Sequence, residues 1–102
     1  MIATVYAVFA NAAEANRIAA KVVEERLAAC ANILAPSRSI YRWQGKVEQA
    51  EETPALFKTA QAEALIARIA ELHSYDLPGA VAWPIVAAHL PYQLWVEAES
   101  SQ

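Results

Sequence analysis

The residues of this chain that could do chemistry are few, and most of them lie far apart. His73, Tyr75 and Asp76 fall within four consecutive positions, whereas Cys30 and His89 are isolated. Thiolate, imidazole and carboxylate groups are the ligands that proteins offer to copper and zinc. Because these groups lack the short spacing of a local metal motif, a complete ligand set would require long-range folding or a second subunit.

The two strongest candidate ligands also have structural interpretations. Cys30 stands where a helical pattern gives way to a strand pattern, so it could equally be a small buried hydrophobic residue. His73 stands near the predicted end of a helix, where an imidazole can bond free carbonyl groups. The sequence leaves both interpretations open, and it indicates a surface or strand-end position for His89.

The sequence contains no strong catalytic or cofactor motif. It has no glycine-rich phosphate loop, no CxxC pair, no HExxH and no GxSxG. No nucleophile has a recognisable base beside it in the sequence. We therefore expect a protein that is not an enzyme and that requires no cofactor.

The composition narrows the class of partner. The 102 residues carry a formal net charge of -3, which is unsuited to neutralising the phosphates of a nucleic acid. No segment approaches the roughly 20 apolar residues of a membrane-spanning helix, and the first residues lack the basic start of a signal peptide. We expect a cytoplasmic protein with neither nucleic acid nor membrane as a partner.

The candidate residues must be positioned by a few elements within one domain, residues 1–102. Along the chain, segments with the apolar spacing of strands are followed by segments with the apolar spacing of helices. Glycine in the Gln44-Gly45 pair permits a tight turn of the chain. The predicted elements are a strand at Ile2–Phe9, a helix from Asn11 to Leu27, a hairpin of Ser37–Trp43 and Lys46–Thr59, a helix at Ala60–His73, an apolar segment at Ala80–His89 and a helix from Pro91.

This order is β-α-β-β-α-β with a short C-terminal helix, an α+β pattern typical of the ferredoxin-like fold. We expect an antiparallel sheet with the two main helices on one face. Pro36, just before the long hairpin, and Pro54, within it, each predict a bend, a bulge or an edge at that point. Pro78-Gly79 is expected to end the second helix, and Glu14 is expected on the solvated face of the first.

The long hairpin carries aromatic residues that need a cover. Tyr41 and Trp43 lie two positions apart, on one face, and too far from the predicted helices to be covered by them. They form either an assembly surface or a stacking site for a ligand, and rings with polar tips favour the assembly surface. The 57% hydrophobic content of so small a domain also predicts an oligomer.

Five segments, in matching order over nearly the whole chain, resemble the CutA family of divalent-cation tolerance proteins. They are "ERLAACANI", "SIYRWQGKVE", the glutamates before "LFKT", "LHSYDLPG" and the final Tyr92/Trp95 pair. The resemblance implies a ferredoxin-like protomer in a homotrimer whose long strands pair edge to edge between subunits. It also implies a link to tolerance of copper and other divalent metals, and an architecture similar to the trimeric PII signalling proteins.

The resemblance implies a cleft between subunits at which the family's motif positions gather. Here these positions are the metal-ligand candidates His73, Asp76 and Cys30, and the cleft residues Tyr41, Trp43, Glu52, Lys58 and Tyr75. The chain departs from the family pattern at three positions, with Ser74 for proline, Asp76 for glutamate or glutamine, and Gly79 for glutamate. Further ligand positions of some copper-linked members are Phe9 and Leu72 in this chain, so the resemblance implies weak metal binding.

Three functions follow as hypotheses. The leading one is a non-enzymatic, trimeric, cytoplasmic protein linked to metal tolerance, with copper or zinc bound weakly through His73, Asp76 and Cys30. The second is a PII-like sensor of a small anionic metabolite, suggested by Lys58 and Tyr75. The third is a structural or anchoring trimer that binds no small ligand.

Overall fold

Five strands and three helices follow one another along the chain in a computed structural model that describes residues 1–101. The elements are β1 (Ala3–Phe9), α1 (Ala12–Glu24), β2 (Cys30–Ile33), β3 (Ser37–Trp43), β4 (Lys46–Thr59), α2 (Ala62–Leu72), β5 (Ala80–Pro84) and α3 (Leu90–Glu99). The antiparallel sheet has the order β2-β4-β1-β5, and β3 pairs with β4. The predicted α+β, ferredoxin-like fold is confirmed.

The core lies between one face of the sheet and the two helices α1 and α2. Alternate residues of β1 and β4 point to this face, and the apolar stripe of each helix covers them. The largest fully buried side chains of this cluster are Phe9, Phe57, Ile18, Leu65 and Ile69. Both main helices therefore occupy the same face of the sheet, as the sequence pattern predicts.

The 14-residue strand β4 is shared between two shorter partners. Its C-terminal half pairs with β2 and β1, and its N-terminal half pairs with β3 to form an arm. The chain bends between β2 and β3 at Pro36, as predicted. The Pro54 carbonyl accepts from the Leu34 backbone amide at 2.9 Å, so the nitrogen of Pro54 faces the same side, where the chain bends. Pro54 is tolerated within β4 because its missing N–H falls at this bend.

The arm is closed by a two-residue turn. Gln44 has φ 49° and Gly45 has φ 80°, the pair of positive values that a type I′ turn requires. The molecule measures 45 × 25 × 22 Å, and the arm accounts for its elongation. The predicted hairpin, including its bounds, is confirmed.

The ends of α1 differ from the sequence prediction in two ways. The Asn11 side chain caps the helix by accepting from the Glu14 backbone amide at 2.9 Å, as expected. However, Glu14 is only 5% exposed, so its predicted place on the solvated face is wrong. The helix also ends at Glu24 rather than near Leu27, because Arg26 adopts a left-handed conformation with φ 63°.

The prediction that Pro78-Gly79 ends the second helix is also wrong. Helix α2 ends at Leu72, since His73 already has an extended backbone with φ -74° and ψ 147°. The imidazole of His73 accepts from the backbone amide of Tyr75, which diverts the chain from further helical bonding. Pro78 and Gly79 lie farther along the loop that leads to β5.

The C-terminal third forms an edge of the sheet and a covering helix. Strand β5 pairs only with β1 and ends at Pro84, the edge position that proline predicts. Helix α3 buries Val96 against Ile2 and Ala29, and the Arg26 side chain donates to the carbonyls of its last turn. Within residues 1–101, no helix has both the length and the apolar character needed to cross a membrane.

Candidate functional site

The imidazole of His73 is held at the end of β1. Its side chain has no exposed surface, Nε2 lies 2.8 Å from the carbonyl oxygen of Val8, and the ring stacks on Phe9 with centroids 5.1 Å apart. The Tyr75 backbone amide donates to Nδ1 at 3.1 Å, so Nδ1 is unprotonated and Nε2 carries the hydrogen that bonds Val8. Both ring nitrogens of the neutral imidazole are therefore occupied within the chain.

Tyr75 connects this histidine to the base of the arm. Its hydroxyl donates to Oε2 of Glu52 at 2.8 Å, and its ring lies 4.7 Å from that of His73. Burial, followed by the hydrogen bond and negative charge of Glu52, raises the pKa of Tyr75 to about 12. Tyr41 on β3 also contributes to the electrostatic surroundings of the phenol. Two of the five predicted cleft residues, Glu52 and Tyr75, are thus joined by a hydrogen bond, and Tyr41 pairs with Glu48 farther along the arm.

Glu14 is a member of this cluster that sequence reasoning missed. Its Oε1 accepts from the Ala10 backbone amide at 3.0 Å, its Oε2 accepts from the Ser74 backbone amide at 2.9 Å, and Oε1 lies 4.0 Å from Nδ1 of His73. Burial alone would raise the pKa of Glu14, but hydrogen bonds from Ser74 and Ala10 lower it below its ordinary value. We call Glu14, Glu52, His73, Ser74 and Tyr75 the polar corner.

Cys30 and Lys58 lie together elsewhere on the sheet. They are direct cross-strand partners on β2 and β4, and Sγ of Cys30 is 3.4 Å from the Tyr92 hydroxyl on α3. The hydrogen bond with Cys30, together with burial, raises the pKa of Tyr92 to about 12. Lys58 is six residues from Glu52 along β4, a separation of about 20 Å in an extended strand. A single chain therefore places Lys58 and the polar corner at different sites.

The three predicted metal ligands are not gathered within one chain. Among residues 1–101, no group of three or more His, Cys, Asp or Glu side chains is arranged to hold a metal ion. Cys30 is beside Tyr92, both nitrogens of His73 are hydrogen-bonded, and Asp76 is exposed in the loop before β5. The donor set of one protomer does not fit a metal ion.

The arm and the sheet face opposite the helices expose large apolar side chains. Ile40 is 65% exposed and Val47 is 64% exposed, while Trp43, the remaining predicted cleft residue, is 41% exposed near the arm's turn. On the sheet, the rings of Tyr6 and Trp83 stack with centroids 6.1 Å apart, and Trp83 remains 47% exposed. These surfaces have no cover within the described part of the chain.

Backbone groups of the arm also lack partners among residues 1–101. Strand β1 pairs with β4 only from Thr53 to Thr59, so β4 has one unpaired edge along the arm, and β3 has another. A groove of about 470 Å³ lies beside α1 and Leu72 and includes none of the predicted site residues. Arg17, which lines this groove, is 3.9 Å from Glu14, so the groove borders the polar corner from the helix side, while the unpaired edges of the arm border it at Glu52.

These features define a ferredoxin-like α+β protein with a projecting two-stranded arm and a partly buried polar cluster at its base. The family model described as "CutA1 divalent ion tolerance protein" matches residues 3–99. The chain belongs to this family, and the resemblance stated from the sequence is confirmed.

Relatives and solved structures agree with this assignment. A divalent-cation tolerance protein CutA of Thermus thermophilus is 44% identical over 84 residues, which cover 80% of this chain and 82% of the relative. A solved CutA1 structure from the same species has a TM-score of 0.95 at 38% identity, covering 99% of this chain and all of that one. A CutA structure from Archaeoglobus fulgidus, described as periplasmic, has a TM-score of 0.94 at 31% identity, with 99% and 100% coverage. The chain spans about half the length of the rice and human relatives that it matches.

Proposed function

We propose that this chain acts in the tolerance of divalent metal ions as a non-enzymatic cytoplasmic homotrimer. Membership of the CutA1 family and the names of its relatives support the role in tolerance. The observation that carries the assembly is the arm, whose strand edges and aromatic side chains have no cover within one chain. The location is tested by fractionation of the cells that make the protein, because one related structure is described as periplasmic.

The physical needs of the arm support an assembly of several chains. An exposed flat strand edge is a template for uncontrolled association, and pairing it with a specific partner removes that hazard. Burial of rings such as Tyr41, Trp43 and Trp83 in the same interfaces removes apolar area from water at about 25 cal/mol per Å². Edge-to-edge pairing of arms from three copies satisfies both needs and places a second chain next to the polar corner.

In this proposal copper or zinc binds weakly at the clefts between subunits, with ligands drawn from more than one chain. Asp76 is the most accessible of the three candidate ligands, and Cys30 is half-buried. His73 could bind a metal only by giving up its bond to Val8 or to Tyr75, which opposes tight binding. Weak affinity is therefore expected.

Sedimentation and metal titration test the proposal in sequence. Sedimentation in dilute buffer should give three times the mass of one chain, and stable single copies would contradict the assembly. Calorimetric titration of copper and of zinc should show weak binding that is reduced in Asp76→Asn and His73→Ala. Glu63→Gln, at the exposed start of α2, is the matched control. Identical isotherms for all four proteins would remove these residues from any metal site.

Tolerance itself needs a measurement in cells. A strain that lacks its own relative of this family should grow at higher copper or zinc concentrations when it expresses the wild-type chain. Expression of an arm variant that cannot assemble, such as Trp43→Asp, should not restore growth. Equal growth with and without the wild-type chain would count against the role in tolerance.

Lys58 favours a second function, the binding of a small anion. No carboxylate of the described residues lies within 4.0 Å of its ammonium group, although the residue is half-buried on the open face of the sheet. A PII-like sensor would use this charge in a cleft between subunits. Nucleotides and organic acids are screened by thermal unfolding, since a ligand at 100 times its Kd adds about 2.7 kcal/mol. The shift should disappear in Lys58→Gln, and no shift with any compound would discredit this function.

A further inference from the structure

We propose that Glu14 is the positioning residue of the polar corner, holding the loop after α2 so that the Tyr75 hydroxyl meets Glu52. Glu14 forms a hydrogen bond with neither Tyr75 nor Glu52 and acts through Ser74. This inference concerns the shape of the corner in the folded chain. It therefore holds or fails independently of which ligand the cleft takes.

The carboxylate of Glu14 joins two parts of the chain that are 60 residues apart. One oxygen accepts from Ala10 at the entrance to α1, and the other accepts from Ser74 in the loop after α2. The side chain is 5% exposed, and its closest arginine, Arg17, is 3.9 Å away and itself 63% exposed. The charge is thus held by the N–H donors of Ala10 and Ser74 and by the side chain of Ser74, an arrangement that needs two acceptor oxygens on Glu14.

The residues on both sides of Ser74 are also fixed to the end of β1. His73 is bonded to the Val8 carbonyl and packed on Phe9, and it accepts from the Tyr75 amide. Between the end of α2 at Leu72 and the start of β5 at Ala80, the Ser74 and Tyr75 amides are therefore bonded to side chains instead of a backbone ladder. The direction in which the Tyr75 ring leaves the loop depends on these two bonds.

Glu14 could instead serve only as a cap of α1. The capping bond is already supplied by Asn11, whose side chain accepts from the Glu14 backbone amide. The second oxygen of the Glu14 carboxylate leaves the helix altogether and reaches Ser74. A residue that only capped the helix would have no use for this long-range bond, so the two roles predict different responses to substitution.

Amide hydrogen exchange by NMR on the full chain separates the two roles. Glu14→Gln keeps the length of the side chain but offers one acceptor oxygen, so it cannot serve both amides. We expect exchange at the Ser74 and Tyr75 amides to accelerate at least tenfold, while the core amide of Phe57 is unchanged. Glu24→Gln, an equal change of charge at a side chain that is 78% exposed on the same helix, should alter neither. Acceleration at all amides in parallel would indicate a general loss of stability and would overturn the proposal.

The Tyr75 ring supplies a readout that simple capping would not change. In Glu14→Gln the ¹³Cζ shift of Tyr75 should move toward the value measured in Glu52→Gln, because the hydroxyl loses its alignment with Glu52. Tyr75→Phe should leave Ser74 exchange unaltered, since the dependence runs from Glu14 to Tyr75. If Glu14→Gln does not fold, Glu14→Asp takes its place, because it keeps the charge and is one methylene too short to reach both amides. An unchanged Tyr75 shift in the folded variant would overturn the proposal.

Discussion

The polar corner and the arm are adjacent on β4, but they differ in how many of their side chains and backbone groups find partners within the chain. In the corner, His73, Glu14 and Tyr75 complete their hydrogen bonds with neighbours from β1, α1 and β4. No buried side-chain nitrogen or oxygen within the described residues lacks a partner. In the arm, strand edges and rings such as Trp43 remain uncovered.

This difference separates what one chain stabilises by itself from what the proposed assembly would stabilise. The free energy of the corner and core is gained when a single protomer folds. The apolar area of the arm can contribute only when another chain covers it. Substitutions in the two regions should therefore differ in which measurement they change, and the expected effects on unfolding can be ranked.

The largest effect is expected in the core with Phe57→Ala. The ring is fully buried and meets Phe9 edge to face, with centroids 6.4 Å apart. Its removal leaves a cavity, so the free energy of unfolding should fall by about 3–5 kcal/mol. Urea denaturation measures the change, and Phe57→Leu should lose less because it keeps more of the volume. A loss below 1 kcal/mol for alanine would mean that the core does not lie where the fold places it.

A smaller loss is expected for Thr59→Val at the junction of β4 and α2. The buried Thr59 hydroxyl donates to the Leu27 carbonyl at 2.6 Å and accepts from the Gln61 amide at 2.8 Å. Valine preserves the shape but leaves both groups unsatisfied, which should cost about 1–3 kcal/mol. Thr59→Ser retains the hydroxyl and should recover most of the loss in the same urea titration. Equal stabilities for valine and serine would refute the role of these bonds.

Asn11→Ala should remove the cap of α1. The alanine side chain cannot accept from the Glu14 backbone amide, and loss of a cap costs about 1 kcal/mol. Thermal and urea unfolding measure the difference, with Asn11→Asp as a variant that preserves the acceptor. If alanine and aspartate behave alike, the cap contributes nothing to the stability of the polar corner beside it.

The bond between Tyr75 and Glu52 should make stability fall in alkaline solution. Folding raises the pKa of Tyr75 from 10.0 to about 12, so the contribution is complete below pH 10 and is lost as the pH rises toward 12. Because the side chain is partly solvated, we expect less than about 1 kcal/mol. The decline between pH 10 and pH 12 should be shallower in Tyr75→Phe than in wild type. Tyr92→Phe is the control for the second phenol with a raised pKa. If the stability of wild type and of Tyr75→Phe declined in parallel between pH 10 and pH 12, the decline would not come from Tyr75.

Trp43→Ala should have the smallest effect on the unfolding of an isolated chain. The ring is 41% exposed near the turn of the arm, and surface substitutions usually change stability by less than about 0.5 kcal/mol. Its effect should appear instead in sedimentation at micromolar concentration, as dissociation of the proposed trimer. Trp43→Phe should assemble more strongly than alanine. Unaltered association of the alanine variant would remove this ring from the interface.

The elements of the fold were predictable because their signals are local. Alternation of apolar residues, the Asn11 cap and the Gln44-Gly45 turn each act within a few residues, and the hairpin bounds agree with the structure. The errors concern positions where a distant contact overrides the local pattern. The position of the charged residue Glu14 on a helix predicts exposure to solvent, but the loop that carries Ser74 covers it.

The candidate site was predictable only in part, for the same reason. The sequence placed His73 and Tyr75 two positions apart, and the family resemblance added Glu52, which the structure brings to the same corner. Neither source indicated that both nitrogens of His73 are used by Val8 and Tyr75. A hydrogen bond between residues 65 positions apart, such as that of His73 with Val8, cannot be predicted from the spacing of neighbouring residues.

The sequence by itself determined the order of strands and helices, the turn of the arm and the family. These follow from backbone preferences and apolar periodicity, which act over a few residues. Only the tertiary structure decided that Glu14 is buried, that both ring nitrogens of His73 have partners within the chain, and that Cys30 lies with Lys58, far from the polar corner. Such outcomes depend on which distant groups meet when the sheet forms, because a polar side chain removed from water must complete its hydrogen bonds with whatever the fold brings beside it.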